Sequence, residues 1–406
     1  MKSFFFRLSL SVAWATLVLS PIASVHAEGE GPNDAATETI DAAPNVDAGD
    51  AFCSPSVYSR APELCPDYGP GAAQVKIESA QLPDPLPELH LDRVDYKGKP
   101  ALKYAYARVL TANAAVFASA ENAAANVNPI RWYAPGFVFL SLVGAAQEGQ
   151  PVYQINPNEW MRAEDLRLYL KAPAYQGVVI KEQPQESFGF VLRWFRPCRT
   201  PGVIAADGTI YCDVNSDAGP VDRSDYFPIF EKVKVGQWYW YMVGPEMWID
   251  QRWMAVVTPS QPPEGVTGKW IDVNIYEQTV TAYDGDKMVY ATLASTGRNI
   301  FPTRPGLFQI YEKLPDYKMG GAEGKPDYYY LENIPYIMYF DEGRSFHGTY
   351  WHDQFGYKRS HGCVNLSPRD AEWLYNWAED GTYVNVHDPS GKTPTDPSFY
   401  GFTAAP

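Results

Sequence analysis

Two short motifs near the C-terminus place histidine and cysteine at a spacing suited to acyl transfer. His347 stands at the end of a predicted strand, and the run Ser360-His361-Gly362-Cys363 follows after a short loop. A nearby imidazole can accept the thiol proton and stabilise the thiolate, which is the nucleophile in cysteine catalysis. Gly362 lets substrate approach the backbone, where amide N–H groups of Gly362 and Cys363 would hold an oxyanion. These residues predict a cysteine acyl-transfer site.

The first 27 residues are typical of a secretory signal. Lys2 and Arg7 precede an apolar run over residues 8–20, and Val25-His26-Ala27 resembles a cleavage site. A membrane anchor is the alternative, although a spanning helix needs about 20 apolar residues. No later segment is long and apolar enough to span a bilayer. We therefore expect export to a periplasm or cell wall, and the sequence does not distinguish the two envelopes.

The five cysteines leave one thiol unpaired in this interpretation. Export permits disulfides, and local pairing gives Cys53–Cys65 and Cys198–Cys212, although four cysteines allow three connectivities. Cys363 is then left over, and a leftover cysteine in an exported protein is intermolecular or reactive. Cysteine counting and motif spacing thus point to the same residue.

Composition and charge exclude several functional classes. The chain has 406 residues, 46% of them hydrophobic, which is too apolar for a disordered protein. Its net charge is −15, so no basic face for a nucleic acid is expected. Residues 28–50 hold seven acidic and no basic residues, and we interpret them as a disordered linker.

The segment after the Pro-rich stretch Pro259–Pro263 has the pattern of a β domain with one helix. Period-two alternation predicts strands at 270–276, 279–283 and 288–293, and β-rich runs predict two more at 307–310 and 335–340. A helix is predicted from Ser367, with Pro368 in its first turn, Asp370 completing a capping box and Gly381 at its end. We assign residues 261–390 to the catalytic domain and 391–406 to a tail.

The middle of the chain shows short strands bounded by turn residues. Residues 51–100 are Pro-rich, and residues 101–180 and 181–260 are assigned to two small β modules that resemble bacterial SH3-like modules. A repeat supports the pair, because Pro157–Met161 and Pro245–Ile249 each place Trp after a turn. The predicted class is therefore mainly β, with one or two such modules before the catalytic domain.

The His347-Gly348 pair and the Ser360–Asn365 run resemble the signature of the YkuD-type L,D-transpeptidases, over about residues 266–388. The resemblance implies a β-sandwich in which Cys363 is the acyl-enzyme nucleophile and His347 the general base. His361 corresponds to the second motif histidine, and the alternative is a purely structural role in holding the turn before Cys363. Gly348 stands where some relatives have a serine that orients the base, so a backbone carbonyl is expected to orient the His347 ring.

The resemblance implies that the substrate is a peptidoglycan stem peptide, cleaved before its terminal D-Ala and joined 3→3 to a neighbouring stem. Hydrolysis of the same acyl-enzyme, an L,D-carboxypeptidase reaction, is the alternative, as is a non-catalytic wall-binding protein. The candidate substrate-binding residues are Ser360, Asn365, Gly348, Tyr330 and Trp351, with Tyr330 better explained as core or lid. His352 is expected to be a loop or substrate-contact residue. Wall glycan is a further candidate partner, through the β modules, and no metal or other cofactor is implied.

Overall fold

The computed structural model describes residues 55–61, 63, 82, 86–169, 171–223 and 225–400. The predicted signal at 1–27, the linker at 28–50, the Cys53–Cys65 pair and residues 401–406 of the tail lie outside these ranges. Their predictions therefore stay predictions.

Helices are few and short in the described part of the chain. They are α1 (Pro55–Arg60), α2 (Ala120–Ala125) and α3 (Pro368–Trp377), with 3₁₀ turns at Ala163–Asp165, Gln251–Trp253 and Pro397–Tyr400. None of these helices has the length and apolar character that crossing a bilayer requires.

Strands are more abundant than helices in the described residues. Those before residue 181 are β1 (Leu91–Asp92), β2 (Ala105–Val109), β3 (Ala114–Phe117), β4 (Pro129–Tyr133), β5 (Phe137–Leu142), β6 (Gly144–Glu148), β7 (Gln150–Asn156), β8 (Glu159–Arg162), β9 (Leu166–Tyr169) and β10 (Val178–Ile180). Those from 181 to 260 are β11 (Phe188–Val191), β12 (Val203–Ile204), β13 (Ile210–Tyr211), β14 (Tyr226–Pro228), β15 (Glu231–Val235), β16 (Trp238–Gly244), β17 (Met247–Asp250) and β18 (Met254–Val257). The rest are β19 (Lys269–Asn274), β20 (Thr279–Asp284), β21 (Lys287–Leu293), β22 (Gly306–Gln309), β23 (Glu312–Gly321), β24 (Tyr329–Asp341), β25 (Arg344–Gly348), β26 (Val364–Leu366) and β27 (Tyr383–His387).

Two seven-stranded sheets form the C-terminal sandwich. The first has the order β1-β10-β21-β20-β19-β27-β22. The second has the order β26-β25-β24-β5-β2-β9, with β23 paired to β24. Apolar side chains of both sheets meet in one buried core, which includes Ile271 and Val273 from the first sheet and Phe346, Val364 and Leu366 from the second. The predicted mainly β class, with a sandwich and one supporting helix, is confirmed.

Strands from the predicted first module take part in this sandwich. β10 pairs with β21, and β5 pairs in parallel with β24. Hydrogen bonds therefore cross the boundaries that the sequence suggested at residues 180 and 260. The parallel pairing of β5 with β24 joins segments that are far apart in the sequence and leaves no local sequence signal. The sequence patterns therefore suggested separate modules and a separate catalytic domain.

The supporting helix differs from its prediction in two details. Ser367 caps it as expected, since its hydroxyl accepts the Asp370 N–H at 3.1 Å. The Asp370 carboxylate, however, accepts from Gly177 N at 2.8 Å and from the hydroxyls of Tyr290 and Thr292, both at 2.7 Å. The capping box is therefore incomplete because Asp370 ties the helix to the first sheet. The helix ends at Trp377 rather than near Gly381, since Ala378 is already extended.

The repeated Pro/Trp motif forms two similar hairpins. β7 and β8 are joined by a turn in which Asn158 has φ 60°, and β16 and β17 by one in which Glu246 has φ 50°. The SH3-like character of the modules stays a prediction. The Cys198–Cys212 disulfide is present, and Cys363 is a free thiol in the described part of the chain.

Candidate active site

The site is built on two parallel strands at one edge of the second sheet. β25 pairs with β26, so that Phe346 lies opposite Val364 and His347 opposite Asn365. Side chains alternate across a sheet, and Phe346 and Val364 point into the sandwich core. His347 and Asn365 therefore share the opposite face.

Cys363 immediately precedes β26 and lies two residues before Asn365, the residue that pairs with His347. The Cys363 Sγ lies 3.8 Å from the Ser345 hydroxyl and 3.9 Å from the Gly343 carbonyl oxygen. Burial raises the pKa of this thiol, and Ser345 and Arg344 act in the opposite direction.

His347 is buried and has the geometry of a neutral base. Its Nδ1 lies 3.4 Å from the Gly348 carbonyl oxygen and 3.5 Å from the Thr349 hydroxyl. An Nδ1–H that donates to this carbonyl leaves Nε2 with a lone pair able to accept a proton. Burial lowers the pKa of His347 to about 4, so the ring is neutral at neutral pH. The Gly348 carbonyl lies where the sequence predicted a backbone orienter.

The turn before Cys363 is held by two hydroxyl groups. The Ser360 hydroxyl accepts the Gly362 N–H at 3.0 Å and donates to the Cys363 carbonyl. Thr303 donates to the Gly362 carbonyl at 2.9 Å, and Gly362 has φ 120°, a conformation that favours glycine. The Gly362 amide, predicted to hold an oxyanion, thus already donates to Ser360. Ser360 in turn shapes the backbone that presents Cys363.

His361 contacts Arg298 and two aromatic rings. Its Nε2 lies 3.0 Å from Arg298 Nη2, and its ring lies 4.7 Å from the Phe301 ring and 5.7 Å from the Tyr329 ring. Burial and the neighbouring Arg298 charge lower the pKa of His361. These contacts agree with the alternative in which His361 holds the turn.

Asn365 is buried and contacts His352. The structure places Asn365 Nδ2 3.1 Å from His352 Nε2, while the Gln354 N–H donates to His352 Nδ1 at 3.2 Å. A neutral imidazole has one acceptor nitrogen, so the Gln354 bond puts the ring proton on Nε2. Asn365 Oδ1 has no hydrogen-bond partner among the residues that the structure describes, and a 180° turn of the amide would let it accept this proton. Burial lowers the pKa of His352 to about 3, which keeps the ring neutral.

The two aromatic candidates have different positions. The Trp351 ring lies 5.7 Å from the His347 ring. The Tyr330 hydroxyl instead donates to Glu332 at 3.3 Å, and its ring lies 6.1 Å from that of Tyr133 in a separate apolar cluster. Its neighbour Tyr329 points to the opposite face of β24 and meets His361. Because side chains alternate along β24, Tyr329 contacts the Ser360–Cys363 run and Tyr330 does not.

Sequence reasoning missed a buried charge network beside the site. Asp341 accepts from Arg304 Nε at 3.0 Å and from Arg344 Nη1 at 3.1 Å. The two arginines lie 40 positions apart in the sequence, so only folding brings them to one carboxylate. Groups of three or more His, Cys, Asp or Glu residues able to hold a metal ion are absent from the described residues.

Comparisons with known proteins agree on the catalytic segment. Residues 268–386 match the family model "YkuD: L,D-transpeptidase catalytic domain". A curated relative, Probable L,D-transpeptidase 3 of Mycobacterium tuberculosis, is 31% identical over 102 residues, which cover 23% of this chain and 38% of the relative. The chain thus spans well under half the length of that relative.

Two solved structures each match about a third of this chain. An L,D-transpeptidase from Stackebrandtia nassauensis is 28% identical, with a TM-score of 0.26, over 34% of this chain and 60% of that chain. The catalytic domain of the Enterococcus faecium L,D-transpeptidase is 27% identical, with a TM-score of 0.28, over 30% of this chain and 99% of that chain. The segment that matches the YkuD L,D-transpeptidase catalytic domain model, residues 268–386, includes both His347 and Cys363.

Proposed function

We propose that this protein is an exported L,D-transpeptidase that forms 3→3 cross-links in peptidoglycan through an acyl-enzyme on Cys363. The observation that carries the proposal is a free thiol at the start of the strand that pairs with a neutral, carbonyl-oriented histidine, inside the segment that matches the family model. The periplasm or cell wall is the proposed location, from the N-terminal sequence.

The first half-reaction transfers the stem peptide to the enzyme. His347 Nε2 takes the thiol proton as Cys363 Sγ attacks the carbonyl carbon before the terminal D-Ala. The peptide C–N bond then breaks, and the imidazolium returns the proton to the departing amine. A thioester on Cys363 and free D-Ala result, with His347 neutral again.

The second half-reaction transfers the acyl group to an amine. The acceptor amine of a neighbouring stem attacks the thioester carbonyl, its excess proton passes to His347, and the C–S bond breaks. The proton then returns to sulfur, so the thiol is restored. Of the two predicted oxyanion donors, we assign the role to the Cys363 N–H, because the Gly362 N–H has Ser360 as its acceptor.

Muropeptide analysis with the purified full chain and with Cys363→Ser tests this function. The wild-type protein should release D-Ala and produce 3→3 dimers from tetrapeptide stems. Cys363→Ser should produce neither, since a serine hydroxyl is poorly activated by a base suited to a thiol. D-Ala release without dimers would instead establish the carboxypeptidase, and equal activity of Cys363→Ser would remove Cys363 from the mechanism.

A further inference from the structure

The Arg304–Asp341–Arg344 network carries one more positive than negative charge into the protein interior. The Asp341 side chain is 1% exposed and that of Arg344 is 6% exposed. The Tyr400 ring, from the C-terminal 3₁₀ turn, covers the Arg344 guanidinium at 5.1 Å. Asp341 is paired with both arginines, and Arg344 Nε has no hydrogen-bond acceptor among the residues that the structure describes.

This guanidinium lies directly behind the turn that presents the thiol. Arg344 Nε stands 3.3 Å from the position that a Cβ on Gly362 would occupy. The residues on either side of Arg344 both contact Cys363 Sγ, which lies 3.9 Å from the Gly343 carbonyl oxygen and 3.8 Å from the Ser345 hydroxyl. The unpaired N–H of Arg344 and the thiol therefore flank the same short turn.

Among the charged groups near the site, Arg344 is the one whose charge lowers the pKa of the Cys363 thiol. The other titratable groups are Arg298, Arg304, Tyr311, Tyr329, Tyr339, Asp341, Glu342, His347 and His361. Burial raises the pKa of each tyrosine and lowers that of each histidine, so these groups are neutral at neutral pH. Arg304 and Asp341 offset each other, while Glu342 is 3.8 Å from Arg344 and 53% exposed, where solvent screens it.

We propose that Arg344 is a positioning residue of this site, whose buried guanidinium holds the Gly362 turn and supplies the positive charge that favours the Cys363 thiolate. A neutral His347 accepts the thiol proton but offers no charge to the sulfur beforehand. Arg344 offsets part of the cost of burying the anion. The inference rests on the proposed role of Cys363, but it concerns the thiol itself and is tested without a wall substrate.

The test is the pH dependence of Cys363 alkylation by iodoacetamide in the full chain, followed on the Cys363 peptide by mass spectrometry. Arg344→Gln removes the guanidinium charge and retains an N–H donor for Asp341. Asp341 also keeps its hydrogen bond with Arg304. An opposite charge within about 4–6 Å lowers an acid pKa by roughly 1–3 units. Arg344→Gln should therefore slow alkylation at pH 7 by about tenfold or more, whereas Arg344→Lys should stay within about threefold of wild type.

Arg162→Gln is the matched control, because Arg162 pairs with buried Asp165 in another part of the structure and should leave the profile unchanged. A profile of Arg344→Gln that superimposes on wild type would overturn the inference, as would equal slowing by Arg344→Lys. If Arg344→Gln does not fold, Arg344→Lys carries the test alone: a rate within about threefold of wild type supports the inference, and slowing by about tenfold or more overturns it. Loss of cross-linking alone would bear on the proposed function and not on this inference.

Discussion

The protonation state of His347 decides how the thiol can be activated. A histidine with a pKa near its ordinary value would be partly charged at neutral pH, but burial lowers the pKa of His347 to about 4. The resting pair is then a thiol and a neutral imidazole, and the proton moves as the sulfur attacks. This order follows from the packing around the ring, which the two motifs by themselves do not reveal.

The lowered pKa of His347 should be visible in how the acylation rate falls at acid pH. Because the pKa is lowered, the base form of His347 persists until the pH falls through about 4, and acylation should decline there and not near 6.5. Carbapenem adduct formation on Cys363, followed by mass spectrometry, measures the rate. His347→Ala should lower it by about 10²–10⁴-fold, whereas exposed His90→Ala should not change it. A midpoint near pH 6.5 would contradict a buried neutral base.

Some residue-level features could be predicted and others could not. Cys363 and His347 are identified by residue type, spacing and cysteine counting, because their chemistry is local to two motifs. The Asn365–His352 contact depends on how the loop after β25 folds back, which no spacing rule gives. Arg344 is one of several arginines in the sequence, and only burial beside Gly362 distinguishes it.

At the scale of elements, Gly348 allows β25 to pass between two prolines. A Cβ on Gly348 would stand 2.8 Å from Pro335 Cγ, 3.2 Å from the Pro335 carbonyl oxygen and 3.3 Å from Pro368 Cα. β25 is thus fixed between β24 and the first turn of α3. The Gly348 carbonyl, which lies at His347 Nδ1, belongs to the same crowded segment.

Gly348→Ala should therefore affect stability and acylation together. Overpacking of this kind costs about 1–3 kcal/mol, and the displaced carbonyl should lower the Cys363 acylation rate. Gly144→Ala is the matched strand control, since its nearest contact is the flexible end of the Gln154 side chain at 2.9 Å. Chemical denaturation and carbapenem acylation measure the two effects. Equal behaviour of both variants would show that β25 is not constrained at Gly348.

Alternation and turn chemistry predicted the elements that depend on local sequence. The strand predicted at 279–283 forms as β20, and the hairpin between β20 and β21 turns at Gly285, where φ is 62°. β23 has no comparable alternation, and its partly polar residues become a strand by pairing with β24. The pairings β5–β24 and β25–β26 are parallel and join separated segments, so the second sheet could not be assembled from the sequence.

At the scale of the whole molecule, a buried carboxylate joins residues 181–260 to the catalytic sandwich. Glu277, in the turn between β19 and β20, accepts the Val256 N–H of β18 at 2.8 Å. Burial raises the pKa of Glu277 to about 7, and the Lys232 charge only partly opposes this. The two parts of the structure therefore contact each other through a group that changes charge near neutral pH.

The free energy of unfolding of Glu277→Gln, relative to that of wild type, should increase as the pH rises from 5 to 8. The folded-state pKa lies above the unfolded value of 4.5, so the protonated carboxyl's contribution is complete below about 4.5 and is lost as the pH rises through about 7. The whole contribution is at most about 3 kcal/mol. Glutamine retains an acceptor for the Val256 N–H and carries no charge. The Glu277→Gln protein should therefore not lose this stability as the pH rises.

Thermal unfolding of both proteins across this pH range measures the difference. Other titrating groups, such as His347 and His387, are present in both proteins and cancel when the two curves are subtracted. Glu148→Gln, at an exposed glutamate, should give a difference that does not vary with pH. Parallel curves for Glu277→Gln and wild type would show that the Glu277 carboxylate is solvated in the folded protein. A growing gap would place a pH-dependent contact between the β18 strand and the domain that carries Cys363.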